Sequence, residues 1–277
     1  MNVSLMTRLA ASVGIAAVSA FGASAIVGRH DVEHSQYFAE ADLYPALFGL
    51  YKTPDGFNDC MGTIIAPQWA LTAAHCTTEI GVSGEILNAG FEVDTASGPA
   101  TIDMVVRYKG IRFGQDRDIA LLRFAEPLAN VQPVELYRQA DEVSKKVVIL
   151  GWGDTGDGMT GVAKSDGIFR KAENRVDSIT GVWLVWGFDD PRHAPARALP
   201  LEGVAGPGDS GGPAFIETAT GLKLAGISSG QDPMDQKGGT YGVQEYYVRI
   251  SPLTNWVDNI MELKHPDRDP DAAAPAP

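Results

Sequence analysis

The chain is punctuated throughout by turn-forming residues. Short apolar or alternating runs recur at residues 46–51, 61–65, 101–108, 120–124, 146–152, 182–186, 213–216, 222–228 and 246–250, separated by Gly, Pro, Asn and Asp. Strands broken at this rhythm predict an all-β sandwich or barrel and argue against βαβ units. Helical spacing occurs once, where Leu253, Trp256, Val257, Ile260 and Met261 recur behind Ser251 as N-cap and Pro252 as first helical residue. The expectation is a closing C-terminal helix. Residues 126–134, with Pro127 and Pro133, suit a linker between two β domains. Residues 264–277 are charged, Ala or Pro and are expected to form a disordered tail.

Residues 2–25 carry a single charge, Arg8, followed by a small-residue apolar stretch ending in Ala23-Ser24-Ala25, the form of a signal-peptidase site. Residues 1–25 therefore read as a cleaved signal peptide, and the destination as secreted or periplasmic. A membrane anchor is the alternative, but the stretch is mostly Ala, Ser and Gly, so no stable anchor is expected. With 22 basic against 35 acidic residues and a net charge of -13, nucleic acid is an improbable partner. The 2 cysteines, Cys60 and Cys76, would form a disulfide beside His75 in an oxidising compartment. Zinc is disfavoured, because no further cysteine is present. Glu79, Glu85, Glu92 and Asp94 do not have calcium-ligand spacing. The reading is no metal and no cofactor.

Three short motifs carry the chemistry. Gly208-Asp209-Ser210-Gly211-Gly212 puts one serine where a turn exposes its hydroxyl and gathers N–H donors, as a nucleophile with an oxyanion pocket requires. Leu71 to Cys76 delivers His75 at the end of a strand pattern, and Asp118 opens the run Asp-Ile-Ala-Leu-Leu. Asp116 lies outside that run and is the competing acid. The serine also fits G-x-S-x-G, but an α/β-hydrolase needs its acid and histidine after the serine, and only His265 follows. The order here is His, Asp, Ser, which matches the chymotrypsin arrangement. From about Ile26 to Leu263 the chain resembles the trypsin/chymotrypsin family of serine endopeptidases, including Gly151-Trp152-Gly153 and the helix around Asn255-Trp256-Val257.

The resemblance implies two six-stranded antiparallel β-barrels with a C-terminal helix, one barrel over residues 26–134 carrying His75 and Asp118, the other over residues 135–263 carrying Ser210. It implies Ser210 as nucleophile, His75 as base, Asp118 as its orienting acid, and the N–H groups of Gly208 and Ser210 as the oxyanion hole. It also implies activation through a new N-terminus at Ile26 pairing with Asp209. Because Ala25 precedes Ile26 at the expected signal cut, export itself would generate that N-terminus. Gly206 stands where most relatives brace the specificity pocket with a cysteine. Val204 and Ala205 would form an apolar pocket base, Ser229 and Gly230 would belong to the pocket as part of the substrate-pairing strand Ile227-Ser228-Ser229-Gly230, and Glu245 would be a wall position able to attract a basic side chain. Cleavage after apolar or small residues is favoured, with basic residues as runner-up. The partners implied are a protein or peptide substrate and a protein inhibitor. A non-catalytic binding protein on the same scaffold is the alternative from another class.

Overall fold

A computed structural model describes residues 26–52, 55–78, 90–108, 117–234 and 236–262. The expected signal peptide and tail, together with Asp116, Glu79 and Glu85, lie outside the described residues. The chain opens with β1 (Ile26–Gly28), then β2 (Leu47–Lys52), β3 (Asn58–Ala66), β4 (Trp69–Thr72), the single turn α1 (His75–Thr78), β5 (Phe91–Thr95), β6 (Gly98–Arg107) and β7 (Ala120–Phe124). The second half carries β8 (Lys146–Gly151), β9 (Thr155–Asp157), β10 (Gly161–Val162), β11 (Arg170–Arg175), β12 (Ser178–Thr180), β13 (Trp183–Gly187) and β14 (Gly203–Val204). It ends with β15 (Pro213–Thr218), β16 (Gly221–Asp232), β17 (Gln244–Arg249) and α2 (Thr254–Met261).

Strands β2 to β7 form one antiparallel sheet in the order β2-β3-β4-β7-β6-β5, and β2 packs against β5 so that the sheet nearly closes into a barrel. The second half builds a seven-stranded sheet in the order β11-β8-β15-β16-β17-β13-β12. It exceeds the expected six by β12, an edge strand that hairpins onto β13. A third sheet, β10-β9-β1-β14, draws the start of the described chain into the second half. The fold is the expected all-β, chymotrypsin-like one.

The connection after β7 contains no strand through Val134 and is strapped to the first sheet. The Leu128 N–H donates to the Pro67 carbonyl at 2.7 Å, and Val134 N–H to Ile64 at 2.9 Å. The largest core cluster crosses between the halves, joining Leu71, Ile119 and Phe124 to Phe215, Ile227, Val257 and Ile260. Burial of α2 against this cluster follows from its apolar stripe. Its start differs from the sequence expectation: Ser251 to Leu253 form a 3-10 turn, and the α-helix begins at Thr254. The physical reason is a competing partner, since the Ser251 hydroxyl donates to Glu142 Oε1 at 2.7 Å and so does not cap the helix. No helix among the described residues is long and apolar enough to cross a membrane.

Candidate active site

Strand β4 ends at Thr72, and the chain then turns through Ala73 and Ala74, both fully buried, to place His75 at the first position of α1. Cys60 of β3 and Cys76 are joined by a disulfide that closes 16 residues of sequence, as the cysteine pair implied. It crosslinks the backbone next to His75 to the adjacent strand. A loop of this length restricts the unfolded chain by roughly 3 kcal/mol. Cys60, Cys76 and His75 cluster as metal ligands would, but both thiols are consumed in that bond.

Asp118 enters from the mouth of β7 and is 2 % exposed. Its Oδ1 accepts the His75 backbone N–H at 2.8 Å, and its Oδ2 lies 2.6 Å from His75 Nδ1. The Ser229 hydroxyl donates to the same Oδ2 at 2.6 Å. Burial pushes the Asp118 carboxyl up, but the hydrogen bonds from His75 and Ser229 outweigh it and hold the group below its usual value. The carboxylate therefore fixes the imidazole at two points, and the ring presents Nε2 away from it. From sequence, Ser229 is expected in the specificity pocket, on the substrate-pairing strand. A bulge between Ser228 and Gly230 sends its side chain to Asp118, a face reversal that strand alternation does not reveal.

Ser210 sits in the turn before β15. Gly208 has φ +92 and Gly211 φ +78, conformations that glycine adopts without strain. A side chain at Gly211 would land on the Met61 carbonyl and the Thr72 hydroxyl, so the serine turn lies directly against the strands that carry His75. The Ser210 carbonyl accepts the Met61 N–H at 2.7 Å, and Gly211 N–H donates to Ser228 at 2.9 Å. Three segments distant in sequence are thereby brought together around Ser210. Among the described residues the N–H groups of Gly208 and Ser210 are not spent on hydrogen bonds within the chain. A cleft of about 280 Å³ opens beside Gly208, lined by Asp55, Phe57 and Asn58 from the first half and Gly153, Lys164 and Pro207 from the second.

Asp209 points away from this surface into the interior and is 1 % exposed. Its Oδ1 accepts Gly153 N–H at 2.7 Å and its Oδ2 accepts Gly206 N–H at 2.9 Å. The Ile26 backbone N–H is a third donor to the carboxylate. Burial outweighs all three and pushes the carboxyl up to about 7. Ile26 is inserted between β9 and β14, with its carbonyl accepting the Thr155 hydroxyl at 2.8 Å. Its φ of +61 is one that a β-branched residue avoids.

Val204 is fully buried in a small cluster with Val27, Phe188, Tyr241 and Val243, and Ala205 is buried beside it. Glu245 is 1 % exposed and faces them. Its Oε2 accepts Ala205 N–H at 2.9 Å and the Gln231 amide at 3.2 Å, while that amide also donates to the Ala205 carbonyl at 2.8 Å. Burial pushes the Glu245 carboxyl up to about 8. Gln231 was not among the sequence candidates, because a polar residue just past the apolar run 222–228 gives no signal of its own. Gly230 lies just past the bulge, opposite Tyr246.

A nearly closed β-barrel, a second sheet, a short C-terminal helix, and a buried Asp–His pair beside a glycine-flanked serine define the class: a serine peptidase of chymotrypsin-like fold. The sequence profile described as Trypsin matches residues 45–257, and the chain belongs to the trypsin family. It is 29% identical over 186 residues to a protein named Trypsin from Saccharopolyspora erythraea, covering 64% of this chain and 77% of the relative. It is 26% identical over 236 residues to the Factor V activator of Macrovipera lebetinus, covering 80% of this chain and 85% of that protein. An uncharacterized peptidase of Corynebacterium glutamicum (strain R) is 27% identical over 210 residues, which span 73% of this chain and 64% of the relative.

Proposed function

We propose that this protein is a secreted or periplasmic serine endopeptidase that cleaves peptide bonds through an acyl-enzyme on Ser210. The observation that carries the reading is the two-point grip of Asp118 on His75, at the backbone N–H and at Nδ1. It holds the ring in the tautomer with a proton on Nδ1, leaving Nε2 as the base. Ser210 Oγ attacks the scissile carbonyl carbon while His75 Nε2 takes its proton. The tetrahedral oxyanion is stabilised by the N–H groups of Gly208 and Ser210, worth roughly 3 to 4 kcal/mol per donor on comparable sites. His75 then gives the proton to the leaving amine. Water, deprotonated by the same nitrogen, releases the acid and returns Ser210.

Activation by removal of residues 1–25 is part of the proposal. A cut before Ile26 turns a neutral amide into an ammonium beside the buried Asp209 carboxyl, and it removes the preceding residue on which the strained φ of +61 depends. The disulfide fits an oxidising compartment. Apolar or small residues at the cleavage point suit a pocket base of Val204 and Ala205, because Glu245 is engaged by its neighbours and its raised carboxyl is protonated near neutral pH.

The test is intact mass before and after an organophosphonate probe, with Ser210→Ala alongside. A chain starting at Ile26 that gains one adduct only when Ser210 is present is the expected result. A folded chain starting at Ile26 that gains none would refute the peptidase reading and leave a binding protein on the same scaffold. An adduct on a chain starting elsewhere would refute activation at Ile26 alone.

A further inference from the structure

Arg117 immediately precedes Asp118 and has φ +89, a left-handed conformation that residues with side chains rarely adopt. Its carbonyl accepts the Ile119 N–H at 2.8 Å, so Asp118 stands at the apex of a three-residue turn. The Ile119 carbonyl in turn accepts the Tyr108 N–H at 3.1 Å, which ties the turn to the end of β6.

The Arg117 side chain is held on the same residue. Its Nη1 donates to the Tyr108 hydroxyl at 3.0 Å, and the guanidinium carbon lies 4.6 Å from that ring's centroid. Arg117 Nε is buried with no hydrogen-bond partner among the described residues, a loss that an outward-pointing rotamer would avoid. The Tyr108 ring meets Trp256 of α2 edge to face at 5.1 Å. A line of contacts therefore runs from the C-terminal helix through Tyr108 and Arg117 to Asp118.

We propose that Arg117 is a positioning residue: stacked on Tyr108, it clamps a left-handed backbone turn that aims the Asp118 carboxylate at the His75 N–H, His75 Nδ1 and the Ser229 hydroxyl together. The proposal rests on the reading of Asp118 as the acid that orients His75. Three hydrogen bonds of 2.6 to 2.8 Å on one carboxylate tolerate little rotation of its parent backbone. Arginine has no intrinsic preference for φ +89, so the turn is held by its own hydrogen bonds and by the side chain's seat on Tyr108. Lysine retains the charge but not the planar group that both stacks and donates to the hydroxyl.

The test compares Arg117→Lys and Arg117→Ala with the parent chain, starting at Ile26, by kcat and KM on a peptide substrate and by the NMR signal of the His75 Nδ1 proton. A proton on a ring nitrogen that lies 2.6 Å from a buried carboxylate oxygen resonates far downfield and exchanges slowly with water. Both variants should lower kcat by about tenfold with KM changed less than about twofold, the pattern of a lost transition-state geometry. The proton signal should move upfield or broaden. A purely structural role would lower the melting temperature and leave kcat and the signal of the folded fraction unchanged, and that result overturns the proposal. The NMR signal does not depend on turnover. If the parent hydrolyses nothing, a signal shifted in Arg117→Lys still supports positioning, and an unshifted one overturns it, while the peptidase reading falls separately.

Discussion

Asp209→Asn should have opposite effects on stability according to what precedes Ile26. In a chain that keeps Ala25, the Ile26 nitrogen is a neutral amide, and burial pushes the Asp209 carboxyl from 3.8 up to about 7. Below about pH 4 the group is protonated in both folded and unfolded chains. Between about pH 4 and about pH 7 the unfolded chain ionises while the folded chain keeps its proton, so stability falls as pH rises. At 1.36 kcal/mol per unit, the full penalty is on the order of 4 kcal/mol above the folded value. Asparagine cannot ionise and escapes it, losing roughly 1 kcal/mol of hydrogen bonding to Gly153 and Gly206. Near pH 7.5 the Ala25-bearing variant should therefore be about 3 kcal/mol more stable than its parent. In the chain that begins at Ile26, the same substitution strands an ammonium in the interior and should cost about 3 to 5 kcal/mol. Urea unfolding of the four proteins at about pH 5 and about pH 7.5 measures both differences. Glu202 titrates in the same range but is common to all four proteins and cancels, whereas Glu245 is raised in part by the Asp209 charge, so a smaller share of the difference comes from its release in the variants. A change of the same sign in both backgrounds would refute the pairing of the Ile26 ammonium with Asp209.

Ser229→Ala removes one donor from Asp118 and should lower kcat several-fold with KM unchanged, which steady-state kinetics will read. Gly211→Ala forces a side chain into a φ of +78 and onto the Met61 carbonyl, and should cost more than about 3 kcal/mol or prevent soluble expression. A melting temperature within a few degrees of the parent would count against the close packing of the serine turn on β3 and β4. Glu202 accepts the N–H groups of Asp189 and Leu199, and burial pushes its carboxyl up to about 7. Its contribution is present below about pH 4.5 and lost as pH rises through about 7, so Glu202→Gln should shrink the stability difference between pH 5 and 7.5 by about 2 kcal/mol. An unchanged difference in urea unfolding would show that the group does not titrate there.

Strands with apolar inward faces were legible as sequence. The run Ala120 to Phe124 coincides with β7, and Lys146 to Trp152 overlaps β8 to within one residue. Strand β11 was not legible, because its inward positions are Arg170, Ala172 and Asn174. Arg170 is accommodated by Asp166, the Ile168 carbonyl and the face of Phe38, and Asn174 by the carbonyls of Gly187 and Gly203. Apart from Arg170 Nε, which is buried with no hydrogen-bond partner among the described residues, these polar groups are met by partners that only the folded chain supplies, so alternation of apolar residues could not mark the strand. The site divides in the same way. His75, Asp118 and Ser210 stand in local motifs whose residue types announce their chemistry. Ser229 reaches Asp118 through a bulge, Gln231 reaches Glu245 across the sheet, and Arg117 is distinguished by a backbone angle; none of these leaves a pattern in the sequence.

The packing of α2 into a core that also holds Leu71 and Ile119 has a consequence for assembly. Trp256, Val257 and Ile260 are among the last described residues, and they complete the surroundings of a strand pair made far earlier in the chain. The first half therefore emerges during synthesis with an uncovered apolar face, and the carboxylate at the mouth of β7 acquires its full support only when the C-terminal turn docks. A product interrupted before Trp256 would lack that support for Asp118.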